Sequence, residues 1–387
     1  MGTKADLAER DMRFGRLRDA MARENLDALL VAGKGHWWTG RGYFRYLTDF
    51  HLWGHDGLVL FPAVGEPVGT LTSHAVAGRV VRQGWVTEMR GDVFLVRKMA
   101  ELIEERRLVK ARIGVVGFQW ILGAGNLEYL REAFPHAQFV NADDLLNRIR
   151  MVKSPLEIEQ IRELWTLSKA CMERFVEVLE PGRTQRELAA EASKIALAGG
   201  VRDMLVFINE DADSGANPPQ DVPMQCTDVV TYHMELCGES GHWSEITVNC
   251  AYREPSLLEL KLMDSEMRAN AAVQSVAKPG ARLSAMAETF EQSLQGDGWQ
   301  LNAPTDHFDF HGQGMDTIEF PWYSAAPGWG AAYDTVLLAG MVFSYHPRRN
   351  VLPRVARTPG INEDVLITER GIQRLSEPWD LRWRLMG

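Results

Sequence analysis

Two Pro-Gly turns in the C-terminal half of the chain constrain its fold more than any other feature. Pro181–Gly182 and Pro279–Gly280 lie 98 residues apart. Each follows a long helical pattern and precedes a second helix, a glycine-rich stop and strand-like segments. Coincidence is the alternative explanation for two such turns. A helix–helix–strand unit that occurs twice predicts two similar halves that close around one central cavity.

The segment from Ser154 to Glu157 predicts where this repeated region starts. Ser154 can cap a helix, Pro155 suits the first helical position, and Glu157 can return a hydrogen bond to the cap. The residues before this segment alternate between helical and strand-like patterns. The predicted helices lie at about 7–24, 94–107 and 125–134, and the predicted strands at 26–32, 43–47, 57–61, 67–71, 113–116 and 139–140. We therefore expect an α/β domain over residues 1–150 and a second domain over residues 151–387.

The composition excludes several kinds of partner and location. Lysine and arginine number 42 against 52 aspartates and glutamates, a net charge of −10 without a basic cluster. Nucleic-acid binding is therefore not expected. The chain has no run of about 18 apolar residues for a membrane span, its polar N-terminus does not resemble a signal peptide, and its four cysteines have no CxxC spacing. We expect a cytoplasmic protein that binds a small molecule.

A predicted hairpin carries the first candidate site residues. Its turn is Gly238–Gly241, and strand alternation places His233, Glu235 and Cys237 on one face. Such a face is unusual for a core strand, and a solvent-exposed edge hairpin is the alternative. Glu245, on the returning strand, can lie across from this face. His233 is a candidate for substrate binding, and the two glutamates are candidates for catalysis.

The run from His307 to Glu319 carries further candidates. If the segment is a strand, His307 and His311 point the same way, and the Gly-Gln-Gly run after His311 allows close backbone approach. Glu319 closes the run and is a candidate for substrate binding. Later in the chain, His346 ends an apolar strand and Glu363 begins another. Each residue alone could be structural or solvated, but together they predict one cavity lined by carboxylates and imidazoles.

Taken together, these segments resemble the creatinase/prolidase/aminopeptidase P superfamily over essentially the whole chain. The matching features are the Ser-Pro-x-Glu helix start, the two Pro-Gly turns, the segment 44–50 and the strands 340–343 and 363–368. The resemblance implies an α/β (α+β) protein. Its creatinase-type N-terminal domain would precede a C-terminal domain of the pita-bread fold with an internal pseudo-two-fold repeat.

The resemblance also implies a set of site positions. Metallopeptidases of this superfamily hold two metal ions with Asp, Asp, His, Glu and Glu. In order, these ligands map onto Glu235, Glu245, His311, His346 and Glu363. A hairpin one residue shorter leaves His233 and Met234 as alternatives at the first position, and His307 matches the other active-site histidine of the family. Three of the five positions carry a changed side chain, so a two-manganese peptidase site is not expected.

The glutamate at the bridging position, Glu245, resembles creatinase and the metal-free branch of the superfamily. We therefore expect no cofactor, with one divalent ion (Mn, Zn or Fe) as the alternative. The expected activity is hydrolysis of an amide- or amidine-type C–N bond in a small polar nitrogen compound, cationic or zwitterionic. A carboxylate of the set would activate water, and a histidine of the set would protonate the leaving nitrogen. A Xaa-Pro dipeptidase, a lyase and a non-catalytic binding protein are the alternatives.

The resemblance further implies a homodimer in which the N-terminal domain of one protomer covers the cavity of its partner. Trp37, Arg41 and Trp53 are candidates for this cover and for substrate binding. Tryptophan faces attract cations, and arginine pairs with carboxylates. Core or interface packing is the alternative for the tryptophans.

Overall fold

The computed structural model describes residues 7–36, 39–208, 217–225, 229–301, 309–324, 334–347, 349–355 and 357–386. Two predicted site residues, Trp37 and His307, lie outside these ranges, and their roles stay predictions. The chain divides into two compact units, residues 1–150 and 151–387. Within the described ranges, none of the helices combines the length and the apolar composition that crossing a membrane requires.

The first unit is built around one mixed sheet. Its helices are α1 (Leu7–Arg23), α2 (Arg41–Thr48), α3 (His74–Gln83), α4 (Leu95–Glu105), α5 (Ala124–Ala133) and α6 (Asp143–Arg150). Its strands are β1 (Ala28–Lys34), β2 (Asp56–Pro62), β3 (Val68–Leu71), β4 (Glu88–Gly91), β5 (Arg112–Val116) and β6 (Gln138–Asn141). They lie in the order β4-β3-β2-β1-β5-β6, with β1 antiparallel to β2 and parallel to β5. Apolar side chains of α4 and α5 pack against this sheet and complete its core.

The predicted strand over residues 43–47 is wrong, because this segment lies inside helix α2. Its aromatic residues favour a strand in isolation. In the fold, however, Phe44 packs so closely on the sheet that a Cβ on Gly33 or Gly57 would lie 2.6 Å from its side chain. These two strand glycines make room for a helix that is buried on nearly all sides, so tertiary packing overrides local propensity.

In its described residues, the second unit contains two larger sheets, one two-stranded sheet and two pairs of long helices. The helices are α7 (Pro155–Val178), α8 (Gln185–Ala198), α9 (Leu257–Val276) and α10 (Leu283–Gly296). One sheet has the order β17-β9-β8-β7, from β7 (Asp203–Ile208), β8 (Val229–Cys237), β9 (Trp243–Ala251) and β17 (Arg384–Leu385). The other has the order β12-β11-β13-β15-β16, from β11 (Phe310–Gly312), β12 (Glu319–Tyr323), β13 (Val342–Tyr345), β15 (Glu363–Thr368) and β16 (Gly371–Arg374). The short strands β10 (Gln300–Leu301) and β14 (Val351–Leu352) pair with each other.

The second unit repeats one plan, as the two Pro-Gly turns predict. Helices α7 and α8 precede the sheet that contains β8, and α9 and α10 precede the sheet that contains β13. Both α7 and α9 begin with a capping box, whose caps are Ser154 and Ser256. Gly182 and Gly280, in the two turns, have φ angles of 91° and 93°, which favour glycine. Each half thus turns its second helix back in the same way before its strands begin.

Alternation along β8 separates an apolar face from a polar face. Tyr232 and Met234 point into the core beneath α7 and α8, and the ring of Phe175 stacks on Tyr232 with centroids 3.7 Å apart. His233 and Glu235 therefore face the opposite way, toward the other sheet of the unit. The sequence pattern predicted this division correctly, because a period of two fixes which residues share a face.

Candidate active site

Two glutamates face each other on neighbouring strands. The predicted hairpin forms from β8 and β9, with Glu235 directly opposite Glu245 and His233 opposite Thr247. Glu245 is 2% exposed, whereas the side chain of Glu235 is 13% exposed. The hairpin register therefore pairs Glu235, rather than His233 or Met234, with Glu245.

The second sheet brings a histidine and a serine to Glu245. His311 on β11 lies opposite Ser344 on β13. Nε2 of His311 is 3.0 Å from Oε1 of Glu245, and the Ser344 hydroxyl lies 2.8 Å from Oε2 of the same carboxylate, to which it can donate. Glu245 thus connects the two sheets, as the sequence prediction of one cavity requires.

Asn362, which the sequence reasoning did not select, also contacts Glu245. Its Nδ2 donates to Oε2 of Glu245 at 3.1 Å and to Nδ1 of His233 at 3.2 Å, and its Oδ1 lies 3.1 Å from the Ser344 hydroxyl. Asn362 immediately precedes β15, so it occupies the site position that the resemblance assigned to Glu363. A neutral amide therefore stands where a carboxylate was expected.

Glu363 does not reach the site, and its predicted catalytic and metal-binding roles are not supported by its position. Its carboxylate is fully buried and is bound by Arg374, Ser376 and Asn270. Ser376 and Asn270 donate to it at 2.8 and 2.9 Å. Because neighbouring strand residues point to opposite faces, the residue that follows Asn362 turns away from Glu245. Glu363 instead ties β15 to β16 and to helix α9.

A proton is held between His311 and Glu245. Nδ1 of His311 lies 3.1 Å from the carbonyl oxygen of Gly312, which can only accept, so Nδ1 carries a hydrogen. The contact of Nε2 with the carboxylate oxygen then needs a second hydrogen between them. Burial lowers the pKa of His311, but the charge of Glu245 outweighs burial and raises that pKa above its ordinary 6.5. The pair is therefore an imidazolium and a carboxylate.

The two glutamates have opposite pKa shifts. Burial, and then the charge of Glu245, raise the pKa of Glu235 above the ordinary 4.5. For Glu245, burial acts in the same direction, but His311 and then His346 outweigh it and hold the pKa well below the usual range. Glu245 is thus the member that stays charged more readily, and Glu235 is the member that holds a proton more readily.

One carboxylate oxygen of Glu235 is buried and unpaired. Nδ2 of Asn362 can only donate to Nδ1 of His233, so the hydrogen that faces Oε1 of Glu235 at 3.3 Å lies on Nε2 of His233. Within the described residues, Oε2 of Glu235 has no hydrogen-bond partner. An oxygen with that freedom and a raised pKa suits a general base.

His346 completes the cluster from the end of β13. Its ring centroid lies 5.0 Å from that of His311, and its backbone nitrogen donates to the carbonyl oxygen of Asp309 at 3.2 Å. The Asp309 carboxylate is itself paired with the buried guanidinium of Arg349. This buried pair holds the segment beside His346 in place, so both imidazoles next to Glu245 come from fixed backbone.

Asp364 supports the backbone of Glu245, although the sequence reasoning did not select it as a site residue. Its Oδ2 accepts hydrogen bonds from the indole nitrogen of Trp165 at 2.7 Å and from the backbone nitrogen of Glu245 at 3.2 Å. Burial, and then the charge of Glu245, raise the pKa of Asp364 well above its ordinary value. Asp364 thus fixes the β9 backbone at Glu245, and its raised pKa disfavours a second negative charge beside that residue.

Three predicted substrate-binding residues do not belong to the cluster around Glu245. Glu319 binds the buried ammonium of Lys153 at 2.8 Å and accepts hydrogen bonds from the backbone nitrogens of Met315 and Asp316. It therefore fixes the loop after His311, which corrects the prediction that it binds substrate. The other two are Arg41, which begins α2, and Trp53, which is 65% exposed; both belong to the first unit, and their binding roles stay predictions.

Among the residues that the structure describes, the cluster contains two possible metal-binding groups. They are Glu245, His311 and His346, and His233, Glu235 and Glu245, each with donor atoms within 4.8 Å of one another. A pair of ions would need Glu245 to bridge them with one oxygen on each. Its Oε2 instead accepts from Ser344 and Asn362, and His233 presents an N–H. The two-ion set does not fit these residues, whereas the first group would fit one ion once His311 loses its Nε2 proton.

Known proteins similar to this chain include hydrolases of several kinds. The ectoine hydrolase of Halomonas elongata is 28% identical over 94% of this chain and 94% of that protein. YkvY of Bacillus subtilis is 26% identical over 87% of this chain and 92% of the YkvY chain. Its assignment as a dipeptidase is provisional. The structure of a Xaa-Pro dipeptidase from Bacillus anthracis has a TM-score of 0.76 at 20% identity, covering 97% of this chain and 100% of that one. The prolidase structure from Pyrococcus horikoshii has a TM-score of 0.75 at 18% identity, covering 95% and 98%.

Two family models match the chain itself. The model of the creatinase/prolidase N-terminal domain matches residues 13–152. The model of metallopeptidase family M24 matches residues 159–369, more than half of the chain. With the similar prolidase structures, these matches confirm the predicted creatinase-type domain followed by a pita-bread domain. The chain therefore belongs to metallopeptidase family M24.

Proposed function

We propose that this chain is a hydrolase of the creatinase type, which cleaves an amide or amidine C–N bond in a small polar nitrogen compound without a metal ion. One observation carries the proposal: Glu235 and Glu245 lie opposite each other with pKa values shifted in opposite directions. Two carboxylates separated in this way can hold one fixed charge and one exchangeable proton. The 28% identity to ectoine hydrolase over almost the whole chain supports a substrate of this class.

The proposed reaction uses Glu235 as the general base. Its unpaired Oε2 takes a proton from water, and the water oxygen attacks the amide or amidine carbon. The C–N bond then breaks, and the leaving nitrogen takes a proton from the imidazoles. His311 stores that proton beside Glu245, and His346 lies next to it, so either ring can deliver it. When Glu235 is ionised the cluster carries net negative charge, which favours a cationic or zwitterionic substrate.

The pH dependence of turnover tests this mechanism. Activity should rise as the pH rises through the pKa of Glu235, which lies above 4.5, because the base must be ionised. Activity should fall as the pH rises through the pKa of His311, which lies above 6.5, because the acid must be protonated. The measurement is kcat/KM against pH, in metal-free buffer, with ectoine as a cyclic amidine and glycyl-proline as a dipeptide. Activity on neither compound, or a rate without an acid limb, would contradict the proposal.

A metal-dependent peptidase is the second candidate. It is favoured by the donor atoms of Glu245, His311 and His346, which lie close enough to hold one ion, and by the fold shared with Xaa-Pro dipeptidases. Such an ion would supply a Lewis acid at Glu245. Glycyl-proline cleavage that depends on an added divalent metal would favour this candidate over the first.

A further inference from the structure

The side-chain nitrogen of Asn362 contacts two residues of a possible ion site. Its Nδ2 lies 3.1 Å from Oε2 of Glu245 and 3.2 Å from Nδ1 of His233. With Glu235, these two residues form one of the groups in the described part of the chain whose donor atoms could surround a metal ion. The side chain of Glu235 is 13% exposed, so solvent reaches this group. Asn362 therefore lies where it can decide whether an ion binds there.

The surroundings of Asn362 fix the orientation of its amide. A carboxylate oxygen accepts hydrogen bonds, so the amide atom that faces Oε2 of Glu245 is the donating nitrogen. The amide oxygen lies 3.1 Å from the hydroxyl of Ser344. Of the two hydrogens on Nδ2, one then points to Glu245 and the other to His233.

Both hydrogens occupy positions that an ion would need. Oε2 of Glu245 accepts from Asn362 and from Ser344, at 3.1 and 2.8 Å, which uses both of its lone pairs. Nδ1 of His233 accepts the other hydrogen, so the ring carries its own hydrogen on Nε2, 3.3 Å from Oε1 of Glu235. A ring nitrogen must be free of hydrogen to bind a metal. The nitrogen of His233 that faces Glu235 is therefore closed to an ion.

Histidines that bind metal ions usually show the reverse arrangement. Their outer ring nitrogen donates to a carboxylate or a carbonyl oxygen, which directs the lone pair of the other nitrogen at the ion. In this chain the outer nitrogen, Nδ1 of His233, accepts from an amide instead. We propose that Asn362 is a positioning residue that keeps the group of His233, Glu235 and Glu245 free of metal. The inference rests on the proposed function and deepens it, because it names the residue that reserves Glu235 for proton transfer.

Asn362→Asp reverses this arrangement with almost no change in size. The oxygen that replaces Nδ2 accepts from Nδ1 of His233, which frees Nε2, and it faces Oε2 of Glu245, so a cation between the two carboxylates is favoured. The purified variant and the wild type would be dialysed against Mn²⁺, and the bound metal would be counted by inductively coupled plasma mass spectrometry. We expect one more equivalent in the variant, and a larger rise of its unfolding temperature with Mn²⁺.

Two controls locate the extra ion. Asn141→Asp adds the same charge at the exposed end of β6 and should bind no more Mn²⁺ than the wild type. Adding His233→Leu to Asn362→Asp removes one ligand of the proposed ion and should return the count to that of the wild type. An extra ion that survives this second substitution would lie elsewhere and would overturn the proposal.

Asn362→Ala decides the question if the added buried charge prevents Asn362→Asp from folding. It removes both hydrogens without adding a charge. By calorimetry, it should bind Mn²⁺ at this group roughly ten- to a hundredfold more tightly than the wild type. The proposal is overturned by a wild type that already binds two ions, or by a folded variant of Asn362 that binds no more Mn²⁺ than the wild type.

The count for the wild type separates this inference from the proposed function. A wild type with one catalytic ion, and a second ion only in Asn362→Asp, would contradict the metal-free hydrolase and leave this inference standing. A metal-free, active wild type whose Asn362 variants bind no Mn²⁺ would contradict this inference and leave the proposed function standing.

Discussion

Glu245→Gln should lose both activity and stability. The substitution leaves the imidazolium of His311 buried without its counter-charge, and breaking a buried pair in this way costs about 3–5 kcal/mol of unfolding free energy. Turnover should fall by at least about a hundredfold, because the charge that holds the proton on His311 is gone. Urea unfolding and kcat/KM measured on one preparation test both expectations.

The stability loss has a defined pH dependence. Because the folded pKa of Glu245 lies below the ordinary 4.5, its contribution is complete above that pH and is lost as the pH falls through the lower folded value. The difference in unfolding free energy between the wild type and Glu245→Gln should therefore disappear in acid.

Glu254→Gln, an exposed change just after β9, is the control. If Glu245→Gln does not fold, Ser344→Ala removes one donor to Glu245 and should cost about 1 kcal/mol. Wild-type stability in either variant would contradict the role of Glu245.

Glu235→Gln should separate catalysis from folding. Glu235 has a raised pKa and one unpaired oxygen. Replacing it by a neutral amide of the same shape should therefore change the unfolding free energy little. As the general base, however, it should account for a factor of about 10² to 10⁴ in kcat. The acid limb of the pH profile should disappear together with the activity.

The matched control for this variant is Glu239→Gln, in the exposed turn of the same hairpin. It should retain both the rate and the pH profile of the wild type. If Glu235→Gln kept the wild-type kcat, the general base would have to be another group. A variant that fails through unfolding, with normal kcat for its folded fraction, would reduce Glu235 to a structural residue.

The sequence predicted one half of this site better than the other, for a physical reason. Along β8 and β9, strict alternation over a long hairpin fixes the faces, so His233, Glu235 and Glu245 could be assigned from their spacing. At the start of β15 there is no such reference, and an error of one residue exchanges the two faces. The family resemblance assigned Glu363 to the site, whereas the side chain that contacts Glu245 is that of Asn362.

The remaining differences come from contacts between distant parts of the chain. The sequence shows no partner for Glu319, because the residue that pairs with it, Lys153, is 166 positions away. Glu319 was therefore predicted to bind substrate. The helix at 43–47 depends on glycines in two separate strands. Local patterns predict faces and helix caps, whereas pairing across the fold decides which polar groups remain available to a substrate.

The metal content of the purified, untagged protein tests most directly the proposal that the site works without a metal ion. It would be measured by inductively coupled plasma mass spectrometry without added metals, and turnover would be followed with and without chelator. We predict far less than one equivalent of metal per chain and turnover that chelator does not change, because the proton on His311 Nε2 occupies one oxygen of Glu245 and Ser344 and Asn362 occupy the other. One or two equivalents of Mn, Zn or Fe, with turnover lost on chelation, would contradict this prediction and show that Glu245, His311 and His346 hold a catalytic ion.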